Sequence, residues 1–188
     1  MDMNFKIESP NPLEAVLGEI ETALNAQLYY LALMVALSVP DICSSIEEEL
    51  DTEKPWGGVQ ARYTDWAARY IEPHFQYLTA KDCWALRGGV IHNGRLFGRK
   101  DAQYDRFMFL LPFGGNRLGE MLTKNNGGTA ESALTLGVVE FCQIIISAAR
   151  KWLVDKKDDA LVQSNLSEIM RVRPNGLPPH IVGTSLIA

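Results

Sequence analysis

Apolar residues in this chain recur at helical spacing over most of its length. Leu13, Val16, Leu17, Ile20, Leu24, Leu28, Leu31 and Val35 follow mainly three- and four-residue steps, the repeat of one helix face. The pattern predicts a long first helix that opens at Asn11-Pro12, where a proline costs little, and stops at Pro40. Its apolar stripe widens until the helix is apolar almost all round, as a buried helix requires. Asp41 is placed to cap a short second helix reaching Leu50, and residues 51–58 read as a loop. A third helix is expected from Arg62 to Glu72, ended by Pro73. Tyr63, Trp66 and Tyr70 share one face of it and read as a core stripe in preference to a base-stacking platform.

Thr79-Ala80-Lys81-Asp82 has the form of a capping box, with Asp where Glu or Gln is usual. It opens a fourth helix through Trp84, Leu86 and Arg87. Gly88-Gly89 weakens that helix by about 1 kcal/mol per glycine relative to Ala. A bend, an unwinding or a close backbone approach is expected there. Tyr104 to Leu111 is rich in aromatic and apolar residues, is followed by Pro112 and reads as a strand. A long helix is expected from near Thr129 to Val154, burying Leu134, Val138, Phe141, Ile145, Ala148, Ala149 and Trp152. A short helix should follow from Ala160 to Met170. The fold class is therefore mainly α, a helical bundle with a small β element after the fourth helix. Residues 1–173 form one domain, and 174–188, rich in Pro and Gly, form an irregular tail.

Composition narrows the function. The net charge of -5 excludes nucleic-acid binding through bulk charge alone. The charge is uneven: residues 1–54 hold 11 acids and 2 bases, the remainder 12 acids and 16 bases, which leaves room for a local basic surface. Cys43, Cys83 and Cys142 are odd in number and form no Cys-x-x-Cys pair, which argues against a disulfide framework or a structural zinc site and for a reduced, cytoplasmic setting. The start, Met1-Asp2-Met3-Asn4, lacks the features of a signal peptide. Thr22 to Pro40 carries no charge, but Asn25, Gln27, Tyr29, Tyr30 and Ser38 interrupt it, and it reads as a buried helix with no membrane role.

Familiar catalytic motifs are missing. Gly114 and Gly119 have phosphate-loop spacing, but Glu120 stands where the lysine belongs. His74, His92 and His180 form no His-x-x-x-His pair, and Glu47-Glu48-Glu49 reads as a solvated helix face. No metal and no cofactor are expected. One constellation stands out, Leu86-Arg87-Gly88-Gly89-Val90-Ile91-His92-Asn93-Gly94. Histidine exchanges protons near neutral pH, and arginine holds a phosphate while staying charged. Together they offer proton transfer and phosphate stabilisation, the needs of RNA cleavage through the ribose 2′-OH. The same residues also suit a structural role, the histidine on free helix carbonyls and the arginine on an acid. Five residues at about 100° each put Arg87 and His92 about 140° apart on an unbroken helix, so a bend at the glycines or two facing subunits should bring them together. Arg95, Arg99, Lys100 and Arg106, opposed by Asp101 and Asp105, make a candidate basic loop for a phosphate backbone, with Arg95 and Arg99 as substrate contacts.

Leu86-Arg87-(x4)-His92, following Thr79-x-x-Asp82-Cys83-Trp84, resembles the signature of the HEPN superfamily. The wider pattern, including Leu37-Ser38-Val39-Pro40-Asp41-Ile42-Cys43 and the Trp66–Tyr70 segment, also resembles a group of uncharacterised bacterial HEPN-like proteins. The resemblance covers roughly residues 12–155. It implies a small helical domain, dimeric through a composite site, and metal-independent endoribonuclease activity in bacterial defence or stress, as in toxin–antitoxin systems. It further implies Arg87 and His92 as catalytic residues, Asn93 as an orienting or substrate-binding residue, and RNA, a cognate antitoxin or a nucleotidyltransferase as partners. Gly88 departs from the pattern, since active HEPN ribonucleases usually carry Asn, Asp or His after the arginine. The alternative is a non-catalytic dimeric HEPN-like module that binds RNA, a nucleotide or a protein.

Overall fold

A computed structural model describes residues 11–49, 58–97, 102–112, 120–124 and 132–188. Six α-helices stand among them: α1 (Pro12–Asn25), α2 (Tyr29–Ile46), α3 (Val59–Tyr70), α4 (Ala80–Asn93), α5 (Val138–Asp155) and α6 (Ala160–Leu166). A 3₁₀ turn at Glu72–His74 follows α3, as Pro73 demands. The fold is mainly α, as the periodicity predicts.

α2 is the central helix and packs against α1, α3, α4, α5 and α6. Its length and apolar composition suffice to cross a membrane, yet half of that stretch is buried inside the fold. The expected first helix is in fact two. The chain breaks after Asn25, where Gln27 takes a left-handed φ of 60° and the Leu28 amide bonds the Ala23 carbonyl at 2.8 Å. Pro40 does not stop a helix but lies inside α2, buried. It removes the donor to the Ala36 carbonyl, a defect of about 3 kcal/mol in an isolated helix, offset here by helices on several sides. Asp41 is consequently an interior residue of α2, not a cap.

Tyr63, Trp66 and Tyr70 are buried, as a core stripe should be. The Tyr63 hydroxyl donates to the Leu37 or the Cys83 carbonyl, at 3.3 and 3.4 Å, which joins α3 to α2 and α4. Cys43, Cys83 and Cys142 are free and buried. Burial pushes the Cys142 thiol up to about 12 and raises the other two.

The β element after α4 is larger than expected. β1 (Arg106–Leu110), β2 (Glu120–Lys124) and β3 (Ser132–Gly137) form a sheet in the order β1-β3-β2, with β3 parallel to β1 and antiparallel to β2. The predicted helix from Thr129 therefore begins only at Val138, its proposed start lying outside the described residues. Leu134 is buried as foreseen, but in a strand, because β3 pairs on both edges. Residues 174–188 are not irregular throughout. β4 (Val172–Arg173) pairs with β7 (Leu186–Ile187), and β5 (Gly176–Leu177) with β6 (Ile181–Val182), which makes one hairpin arm. Gly176 permits it: φ is 89°, and a Cβ there would strike the Ile181 carbonyl.

Candidate active site at the end of the fourth helix

α4 is held at both ends. At its start the Thr79 hydroxyl accepts from the Asp82 amide at 3.3 Å, and the Asp82 carboxylate accepts from the Thr79 amide at 3.0 Å, completing the predicted capping box. The other Asp82 oxygen accepts from the Gln103 amide at 3.0 Å, tying the segment before β1 to the helix. At its end Gly94 takes the left-handed φ of 60° that a glycine accepts cheaply, and the Arg95 amide bonds back to the Gly89 carbonyl at 3.0 Å. The glycine pair does not unwind the helix, which runs unbroken from Ala80 to Asn93. The expected close approach is realised: a Cβ on Gly89 would lie 2.6 Å from the Arg95 carbonyl oxygen.

Arg87 and His92 meet within one chain, on an unbroken helix. The Arg87 Nη1 donates to His92 Nε2 at 2.9 Å. The long arginine side chain spans the five-residue offset within one chain, so a second subunit is not needed for contact. Arginine has no acceptor, so Nε2 accepts, and a neutral His92 in this pair carries its proton on Nδ1. On its other edge Arg87 Nε donates to Asp41 Oδ2 at 2.6 Å. Both partners of that ion pair are about one-fifth exposed, at 20% and 18%. The guanidinium also lies 5.2 Å from the Trp84 ring centroid, and Trp84 meets Tyr63 edge-on at 5.3 Å. Arg87 is thus fixed by a carboxylate, an aromatic face and the histidine, while His92 is exposed. Asp41 Oδ1 is buried and has no hydrogen-bond partner among the described residues.

The remaining predicted residues are distributed around this pair. Asn93 is exposed, and its side-chain amide reaches the Gly88 carbonyl at a long 3.5 Å. Arg95 is exposed just beyond the helix. Arg106 stacks on Phe97 with its guanidinium 4.8 Å from the ring centroid. Arg99, and Lys100 beside it, lie outside the described residues. Gly88, which follows Arg87, is buried. Among the described residues no three His, Cys, Asp or Glu side chains group as a metal site would require.

Asp41 is the residue missed by sequence reasoning, which read it as a helix cap. Its signal lay in the Leu37–Cys43 segment, but nothing local connects Asp41 with Arg87. Comparison with protein-family models, curated proteins and solved structures gives no match.

Proposed function

We propose that the chain is a metal-independent endoribonuclease of HEPN type, acting on RNA in bacterial defence or stress. The observation that carries this reading is the Asp41–Arg87–His92 chain, with bonds of 2.6 and 2.9 Å ending on an exposed imidazole. A substrate phosphate competes with His92 for the Arg87 Nη1 donor, and frees Nε2 as it binds. The freed nitrogen takes the proton of the ribose 2′-OH, and the 2′-oxygen attacks phosphorus. The bond to the 5′-oxygen breaks, and that oxygen leaves with a proton returned by an imidazolium, of this copy or of a second. Arg87 offsets the negative charge that builds on the phosphoryl oxygens. Products are a 2′,3′-cyclic phosphate and a 5′-hydroxyl. A homodimer that pairs two such sites, with a cognate antitoxin or nucleotidyltransferase as further partner and a cytoplasmic setting, belongs to the same proposal.

The test uses end-labelled RNA and the same sequence with a single 2′-deoxy substitution at the cleaved position. Cleavage of the first to a cyclic phosphate and resistance of the second supports the reading. Equal cleavage of both contradicts it. A second reading, a non-catalytic module that binds RNA, a nucleotide or a protein, is favoured by buried Gly88 and by the neutralising Asp41–Arg87 pair. It predicts binding of both oligonucleotides and cleavage of neither.

A further inference from the structure

A cavity of about 690 Å³ opens where α1, α5 and the turn into α2 meet. It is separate from the Arg87–His92 pair, since Tyr29, which lines it, and Asp41 stand about 18 Å apart along α2. On α5, Gln143, Ser147 and Arg150 follow steps of four and three residues and so share one face. On α1, Glu21 and Asn25 do the same. Gln27 joins them from the turn, where it holds a left-handed φ of 60° that glycine or asparagine accepts more cheaply. Strained backbone of that kind gathers at binding sites.

The lining selects the chemistry of a ligand. Sites for drug-sized apolar molecules are walled mainly by hydrophobic side chains. Here seven of eleven lining residues are polar, beside a smaller apolar wall of Leu24, Val139 and Ile146. The two charged lining residues hold each other: Arg150 donates to Glu21 at 2.9 Å, and also to Glu14 at 3.2 Å. No cation among the described lining residues is left for a phosphate or carboxylate, and the second carboxylate repels both. The other polar groups are neutral and unengaged. The side chains of Asn25, Gln27, Gln143 and Ser147 form no hydrogen bond among the described residues. Ser147 thus differs from Thr22, Ser38 and Thr64, whose hydroxyls donate to carbonyls of their own helices at 2.8, 3.0 and 2.8 Å.

We propose that this cavity binds an uncharged saccharide of one or two rings. Each sugar hydroxyl donates and accepts, and a carboxamide sets a carbonyl acceptor beside an amide donor, so one side chain spans two adjacent hydroxyls. Asn25, Gln27 and Gln143 supply three such groups, and Ser147 adds a hydroxyl. Half-buried Tyr29 offers its ring to the C–H face of the sugar. A flat heteroaromatic base needs apolar cover on both faces, which a mostly polar lining does not give. The inference does not rest on the ribonuclease reading.

Saturation-transfer NMR of the full chain with maltose, cellobiose, lactose and mannobiose at millimolar concentration tests it. Glucose 6-phosphate, glucuronate and adenosine are the comparison ligands. At least one neutral disaccharide takes up saturation and titrates to a plateau, and the comparison ligands bind roughly tenfold more weakly or worse. A double variant, Asn25→Ala with Gln143→Ala, weakens that disaccharide by roughly tenfold or more, through the loss of two hydrogen-bonding groups. Both positions are exposed, and circular dichroism checks that the variant is folded. Gln27→Gly separates binding from folding. It relieves the left-handed turn and raises Tm by roughly 2–4 °C, yet weakens the disaccharide. Failure of all four disaccharides to bind, a preference for adenosine or for either anion, or unchanged affinity in the double variant or in Gln27→Gly overturns the proposal.

Discussion

At the scale of single residues, the site depends on how tightly Arg87 is held. Asp41 holds its Nε edge at 2.6 Å while Nη1 meets His92, and under the proposed reading a substrate phosphate takes that same Nη1 donor. Asp41→Asn keeps an acceptor but loses the charge, and cleavage should slow by roughly 10–100-fold, the scale set by a misplaced catalytic group. Single-turnover rates at saturating RNA check this, and unchanged rates would remove Asp41 from the mechanism. Two glycines give opposite predictions. Gly18, inside α1, has nothing within 4 Å of an added Cβ, so Gly18→Ala should stabilise the fold by about 0.5–1 kcal/mol. Gly89→Ala gains the same propensity but drives a methyl against the Arg95 carbonyl, and should destabilise by about 1–3 kcal/mol. Urea unfolding measures both signs. The sequence displays Arg87 and His92 because they share one motif. Asp41 stays hidden there because its role arises from the packing of α2 on α4, which no spacing encodes.

At the scale of elements, α4 is the best example of local sequence deciding local structure. Thr79 and Asp82 spell the capping box, and the structure forms both of its bonds. Thr79→Ala should cost about 1 kcal/mol, typical of a lost N-cap, while Asp82→Ala should cost about 1 kcal/mol more because it also releases the Gln103 amide. Denaturant midpoints of the two variants test that order. Elsewhere tertiary context overrules the local signal. Pro40 reads as a stop, yet α2 continues to Ile46 because its surroundings are helices and not water. Ser132–Gly137 continues the apolar pattern of α5 but becomes a strand because two neighbours offer backbone partners. The break at Gln27 carries no Gly or Pro to announce it. The hairpin arm hides in a Pro- and Gly-rich segment whose turn chemistry reads equally well as a loop.

At the scale of the whole molecule, Glu47 is a junction. It is read from sequence as part of a solvated acidic run, but only its neighbours fit that description, with Glu48 and Glu49 exposed. Glu47 accepts from Arg69 on α3 at 2.8 Å and from the Trp152 indole on α5 at 2.7 Å. Burial acts to raise its carboxyl, but those two hydrogen bonds and the charges of Arg69 and Lys156 outweigh it, and it sits below the usual 4.5. A depressed folded value means stabilisation that is fully present above the unfolded value and fades as pH falls through the folded one. Glu47→Gln should therefore flatten the loss of stability below about pH 4.5. Glu47→Leu should cost about 1–3 kcal/mol at neutral pH by leaving the buried Trp152 indole without an acceptor. Thermal unfolding across pH separates the two effects.

The central claim is that an Arg87–His92 pair cuts RNA without a metal, and one assay addresses it. Wild type and His92→Ala are incubated with labelled RNA in EDTA. His92 is exposed at the end of α4 and outside the core, so the variant keeps its fold. Wild type should cut to 2′,3′-cyclic phosphate ends at a rate that EDTA does not change, and His92→Ala should leave the RNA intact. Two inert proteins across varied RNAs, or equal cleavage by both, would contradict the claim and leave the binding-module reading in its place.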